Sequence, residues 1–176
     1  MAFFKEELSK IKAFVFDVDG VLSHCVQSLS PDGDPVRTSN MKDGYALMYA
    51  IRSGYPICII TGGKTQDTKG RLDRLGIKDI YMGTLDKVPC LMEFINNHNL
   101  SAEEVLYMGD DIPDYNSMKL VGMPVCPNDA APEIKEISVY ISHLNGGEGC
   151  VRDVIEQVMR AQEKWCHAED INWSSF

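Results

Sequence analysis

The 176-residue chain contains no apolar run near the roughly 18 to 20 residues that a membrane-spanning helix needs. Its first hydrophobic segment, from Phe14, is broken at once by Asp17 and Asp19, and Met1-Ala-Phe-Phe-Lys-Glu-Glu lacks the basic start and apolar core of a secretory leader. The cytoplasm is therefore the expected address. Basic charge is scarce: 17 Lys and Arg stand against 26 Asp and Glu, a formal net charge of −9. A polyanion would be repelled at long range, so neither nucleic acid nor an anionic membrane is an expected partner. The six cysteines, at 25, 58, 90, 126, 150 and 166, form no CxxC pair and no Cys/His cluster at zinc-ligand spacing. They read as reduced, mostly buried thiols. No stretch is biased enough to imply disorder or a repeat.

What is present is ordinary globular composition, 44% hydrophobic and 24% charged, over a length that suits one core. A single domain, 1–176, is the expectation. Three short apolar runs each stop at polar residues: Ala13-Phe-Val-Phe before Asp17, Ile57-Cys-Ile-Ile before Thr61, and Val105-Leu-Tyr-Met before Gly109-Asp110-Asp111. Such runs suit strands of a parallel sheet covered on both faces. Between them lie segments of helical period, Tyr45 to Ser53, Gln66 to Leu75 and Asp114 to Val121, each followed by a glycine. Ser101-Ala-Glu-Glu reads as a capping box, Val151 to Trp165 as a closing amphipathic helix, and Pro124-Val-Cys and Val139-Tyr-Ile as weaker strands. The alternation predicts an α/β fold with a Rossmann-like parallel sheet flanked by helices.

One stretch breaks the pattern. Residues about 23–41, with a Ser30-Pro-Asp-Gly-Asp-Pro turn in the middle, read as a protruding β-hairpin, either an exposed flap or an oligomer contact.

In open parallel sheets ligands bind beyond the carboxyl ends of the strands, so Asp17, Asp19, Thr61, Asp110 and Asp111 are expected to converge. Asp17-Val-Asp19-Gly20 alone is a two-carboxylate turn that a loop could carry for no chemical reason. Gly109-Asp110-Asp111-Ile-Pro-Asp114 at a second strand end changes that, because several buried carboxylates call for a cation. Oxygen donors point to Mg²⁺. Thr61-Gly62-Gly63-Lys64 offers a hydroxyl and open amides before a helix, an anion cradle or a simple strand-to-helix turn. Lys87 by itself would read as a surface cation.

Taken in order, DxDGxL, a strand-ending Thr, a Lys and GDDxxD resemble the haloacid dehalogenase superfamily of aspartyl-phosphate phosphatases. The resemblance implies Asp17 as nucleophile and Asp19 as general acid and base. It implies Mg²⁺ held by Asp17, Asp110 and the main-chain carbonyl of Asp19, with Asp111 and Asp114 behind the metal or orienting Lys87. Thr61, Gly62 and Lys87 would bind the phosphoryl oxygens.

The superfamily often carries a cap domain, but the 44 positions from Asp17 to Thr61 and the 26 from Thr61 to Lys87 hold no full cap. From Ile11 to about Gln162 the chain more closely resembles the capless phosphatases of 3-deoxy-D-manno-octulosonate 8-phosphate (KDO 8-phosphate). The carrying residues are Asn40-Met-Lys-Asp-Gly-Tyr, Ile60-Thr-Gly-Gly-Lys, Tyr81-Met-Gly, Met108-Gly-Asp-Asp-Ile-Pro-Asp and Gly146-Gly-Glu-Gly-Cys-Val-Arg-Asp. This resemblance implies a small phosphorylated sugar-acid substrate and a homotetramer built by the hairpins. It also puts Lys42 and Asp43 near substrate, although Asp43 reads equally as a cap on the helix from Gly44. Arg152 reads either as a partner for the substrate carboxylate or as a surface arginine. Family members often have Arg where Gly63 stands and commonly have Arg where Glu148 stands. A nononate 9-phosphate is the alternative substrate, and a non-catalytic oligomerisation domain the alternative class. The intact Asp17 and Asp19 speak against the latter, and Asp19 speaks against a phospho-accepting receiver.

Overall fold

The computed structural model describes residues 2–166, with backbone alone for 2–5. Eight strands and seven α-helices are seen among them. They follow in the order α1 (Ala2–Lys10), β1 (Ala13–Phe16), β2 (Ser28–Leu29), β3 (Pro35–Val36), α2 (Met41–Arg52), β4 (Ile57–Thr61), α3 (Gln66–Arg74) and β5 (Asp79–Met82). Then come α4 (Val88–Asn97), β6 (Val105–Met108), α5 (Tyr115–Met118), β7 (Met123–Cys126), α6 (Pro132–Ile137), β8 (Tyr140–Ile141) and α7 (Cys150–Ala161). Six strands form one sheet in the order β5-β4-β1-β6-β7-β8, every pairing parallel. This is the α/β architecture expected of the sequence.

The apolar runs become central strands because both faces of the sheet are covered. Alternate residues of β1 serve opposite layers: Phe14 and Phe16 pack with Leu47, Leu72 and Val154, whereas Ala13 and Val15 pack with Leu91, Phe94 and Ile134. Helices α1, α2, α3 and α7 thus close one face and α4, α5 and α6 the other.

The chain winds from β1 outward to β4 and β5, then returns to β6 on the other side of β1. The strand order therefore reverses between β1 and β6. That crevice is where open α/β sheets bind ligands, and Asp17 and Asp110 follow the two strands that flank it.

Several local expectations change. Helix α2 starts at Met41, four residues before Tyr45, because Asn40 caps it: its side-chain oxygen accepts from the amides of Lys42 at 2.9 Å and Asp43 at 3.4 Å. Asp43 is not the cap. The helix expected from Asp114 to Val121 covers only Tyr115–Met118, and Asp114 belongs instead to a 3₁₀ turn, Ile112–Asp114, that precedes it. The closing helix ends at Ala161, and Trp165 lies beyond it with its ring against Tyr49, 5.2 Å between centroids. The hairpin pairs only Ser28 with Val36 and Leu29 with Pro35, because the Pro-rich turn leaves little backbone able to ladder. The capping box at Ser101 is present. Three of the six cysteines, Cys58, Cys126 and Cys150, are buried, while Cys25 and Cys166 are exposed. No helix among the described residues is long and apolar enough to cross a membrane.

Candidate active site

Asp17 leaves β1 with its amide donating to the Met108 carbonyl of β6 at 3.1 Å, so the two strand ends are tied where their carboxylates emerge. Gly20 then turns the chain back with φ of +80°, and a β-carbon there would fall inside the Asp110 carboxylate. Only glycine both adopts this φ without strain and lets Asp110 come so close.

One oxygen each of Asp17, Asp110 and Asp114 lies within 4.8 Å of the others. Lys87, just ahead of α4 and 2% exposed, inserts its ammonium between two of them, 3.0 Å from Asp17 Oδ1 and 2.8 Å from Asp114 Oδ1. The Tyr107 hydroxyl also donates to Asp114 Oδ1, at 2.8 Å. Lys87 is thus a buried counter-ion and not the surface cation that it would be if read apart from the other motifs.

The electrostatics of the three carboxylates differ. Asp114 is matched by Lys87 and Tyr107. Burial pushes Asp17 up to about 7, with the Asp114 charge adding to the shift and Lys87 opposing it. Burial pushes Asp110 up to about 8, reinforced by Asp17 and Asp114. Burial alone would lower Lys87, but the charges of Asp17 and Asp114 outweigh it and raise its pKa. The protein therefore supplies one lysine for three converging carboxylates, and the excess negative charge falls on Asp17 and Asp110. Hard oxygen donors with uncompensated charge fit a divalent cation such as Mg²⁺.

Thr61 ends β4, buried, and its hydroxyl accepts from the Gly63 amide at 3.0 Å, which leaves the exposed Gly62 amide at the rim beside it. Asp19 turns elsewhere. Its carboxylate accepts from Arg37 Nε at 2.8 Å and Nη2 at 2.7 Å, and from Gln27 Nε2 at 2.9 Å. Both donors come from the hairpin segment.

Asp111 does not join the carboxylate cluster: its side chain accepts from the Ile112 amide at 2.8 Å and so caps the 3₁₀ turn. Asp114, three residues on, is buried in its place. Lys42 is exposed on the first turn of α2. Asp43 is buried, accepting from the Arg152 amide at 2.8 Å, and burial lifts it to about 6. It ties α2 to the start of α7. The Arg152 side chain pairs with Glu156 at 3.2 Å and lies 5.4 Å over the Trp165 ring. The segment at Gly146 is tied down on both sides: the Gly146 amide donates to Asp129 and the Gly147 amide to the Val21 carbonyl.

Sequence reasoning missed Gln27, Arg37 and Tyr107. Tyr107 carries a weak signal, the one polar tip in an apolar strand. The hairpin donors carry none, because no periodicity dictates how a two-residue strand pair leans on the sheet.

A family model for haloacid dehalogenase-like hydrolases matches residues 73–155. Over 154 residues the chain is 34% identical to the 3-deoxy-D-manno-octulosonate 8-phosphate phosphatase KdsC of Salmonella typhi, covering 88% of this chain and 82% of that one. Among solved structures, a probable YrbI family phosphatase from Pseudomonas syringae superposes with a TM-score of 0.91 at 33% identity, covering 97% of both chains. The 3-deoxy-D-manno-octulosonate 8-phosphate phosphatase of Moraxella catarrhalis, solved with magnesium, phosphate and KDO, superposes with a TM-score of 0.89 at 29% identity, covering 94% of this chain and 95% of that one. The chain belongs to the 3-deoxy-D-manno-octulosonate 8-phosphate phosphatase family of haloacid dehalogenase-like hydrolases.

Proposed function

We propose that the protein is a Mg²⁺-dependent phosphatase that hydrolyses 3-deoxy-D-manno-octulosonate 8-phosphate to KDO and phosphate. The observation that carries this reading is the meeting of Asp17, Asp110 and Asp114 around one buried lysine at the strand-order reversal. The Salmonella and Moraxella relatives supply the substrate.

Asp17 attacks the phosphorus, forming an aspartyl-phosphate as the sugar alkoxide leaves and takes a proton from Asp19. Asp19 then accepts a proton from the attacking water, phosphate departs and the Asp17 carboxylate is restored. Splitting one displacement into two keeps a positioned carboxylate on each side of the phosphorus. Asp17, Asp110 and the Asp19 carbonyl would hold Mg²⁺, which when bound neutralises the repulsion between carboxylate and phosphoryl oxygens. Lys87, Thr61 and the Gly62 amide bind those oxygens, and Asp114 with Tyr107 fixes the Lys87 ammonium. The tie from Asp43 to α7 holds the helix start that bears the exposed Lys42, and Lys42 and Arg152 are the candidates for the sugar acid.

The chain works as a homotetramer in the cytoplasm. Val26, Leu29 and Val36 of the hairpin are 86%, 67% and 52% exposed, an apolar surface that a two-residue strand pair does not need for itself. Light scattering reads this directly: a fully active monomer contradicts it.

The functional test is phosphate release from the octulosonate 8-phosphate, a nononate 9-phosphate and neutral sugar phosphates, each with and without Mg²⁺. Selective, Mg²⁺-dependent turnover of the first is expected. Equal rates on all of them overturn the specificity, and turnover in EDTA overturns the metal dependence.

A further inference from the structure

The Asp19 carboxylate is held by a guanidinium. Arg37, at the foot of the hairpin, has a side chain 10% exposed, although the residues around it lie at the surface. Its Nε and Nη2 fork the two Asp19 oxygens at 2.8 and 2.7 Å, and its Nη1 donates to Thr65 Oγ1 at 3.0 Å. Thr65 stands at the start of α3, directly after the Thr61-Gly-Gly-Lys turn. A bidentate fork of this kind is among the strongest polar contacts a side chain makes, and it occupies a carboxylate that must exchange a proton with a leaving group.

The place of the guanidinium is set by Gly63. A β-carbon at Gly63 would sit 2.7 Å from Arg37 Nη2 and 3.0 Å from Cζ, and 3.3 Å from the Thr61 hydroxyl. The cation and the phosphate-cradling hydroxyl thus flank the same small gap, and the absent side chain is what lets the guanidinium into it. Behind Arg37, between the hairpin, α2 and α3, lies a cavity of about 380 Å³ bounded also by Thr38, Asn40 and Arg71.

We propose that Arg37 is a substrate-binding residue that changes partners: without substrate it forks Asp19, and an arriving phosphoryl group beside Thr61 and Gly63 draws the guanidinium onto its own oxygens. Asp19 is then released toward the leaving group when, and only when, a phosphoryl group is in place. No bond is made or broken in this exchange; one ion pair replaces another. The inference rests on the proposed phosphatase function for the identity of the anion.

The experiment measures both turnover and the affinity of the Mg²⁺-loaded protein for inorganic phosphate, by calorimetry, in R37A, R37K, G63A and R37A/G63A. Loss of a bidentate charged contact predicts that R37A weakens phosphate binding and raises KM by about tenfold to a hundredfold, with the change falling on KM more than on kcat. R37K, a point charge without the fork, recovers part of the phosphate affinity. G63A moves affinity in the same direction with the charge still present. The double variant is no worse than R37A, because both changes act through one guanidinium.

Phosphate affinity and KM within twofold of wild type in R37A overturn the proposal. So does a fall in kcat at unchanged KM, which would mean that Arg37 only orients Asp19, and so do fully additive effects of R37A and G63A. Should R37A fail to fold, G63A and R37K decide in its place: wild-type phosphate affinity in both overturns the proposal. If the wild type releases phosphate from no substrate, the phosphatase function fails, whereas phosphate affinity in the four variants still decides the role of Arg37.

Discussion

Asp17 and Asp19 are two residues apart in sequence and live in different electrostatic surroundings. Asp17, with Asp110 and Asp114, lies among strand ends where burial and mutual repulsion hold Asp17 and Asp110 well above the usual carboxylate range. Asp19, its side chain 40% exposed, faces a layer of hairpin residues that supplies a forked arginine and an amide. The floor of the site is made by the buried strand ends of the fold and is short of positive charge. Its roof is made by the least regular part and supplies it. A metal suits the first region and a movable side chain the second.

The sharpest way to break this contrast is to neutralise the floor. Asp17→Asn should lower phosphate release by about a thousandfold or more while the protein still folds, because the proposed nucleophile is lost from a site otherwise intact. Full activity in a steady-state assay would remove Asp17 from the chemistry.

Lys87→Met should be the most damaging change to stability. It strands Asp17 and Asp114 without their cation, for which about 3–5 kcal/mol is expected in urea unfolding. The same truncation at Arg37 should cost much less, since Asp19 can turn to water. Equal losses would erase the distinction between floor and roof.

Metal removal sharpens it through pH. Asp17 and Asp110 bind protons more tightly folded than unfolded, their ordinary value being 3.8. The stability they contribute is therefore full below about pH 4 and is lost as pH rises through about 7 and about 8. In EDTA the melting temperature should fall between pH 6 and pH 9. A Mg²⁺ concentration a hundredfold above its Kd at pH 9 should restore about 2–3 kcal/mol there, and the same concentration should restore less at pH 6, where protons compete for the carboxylates. A pH-independent melting curve in EDTA, or one flat in Asp110→Asn and wild type alike, would contradict the charge imbalance.

The smallest effect tests the connection between the regions. Asn40, between hairpin and α2, caps the helix and also donates to the Gly147 carbonyl at 3.1 Å. Asn40→Ala should cost about 1 kcal/mol by thermal melting, the ordinary worth of a cap, with little change in turnover. A large drop in kcat would show that the cap also governs the site.

Much of the floor was legible in the chain. Continuous apolar runs that end in Asp17, Thr61 and Gly109-Asp110 suit covered parallel strands, and such strands deliver their following residues to one edge. Asp114 stood at the start of an expected helix, Asp114 to Val121, whereas it closes the 3₁₀ turn Ile112–Asp114 and is buried there, with Asp111 left outside as the cap of that turn. Helix α4 and strand β5 gave no clear signal, yet α4 is the element that starts at Lys87 and so buries it.

The α/β fold and the carboxylates at its strand ends could be read from the chain alone, because they follow from local periodicity and side-chain type, and the chemistry of those carboxylates from the motifs shared with a known superfamily. It took the folded chain to show that Asp114 and not Asp111 reaches Lys87, that Asp43 ties α2 to α7, and that Arg37 holds Asp19 across 18 residues of chain. Those contacts join segments distant in sequence through single side chains. No repeat or spacing encodes them; they exist only once the sheet has set the distances.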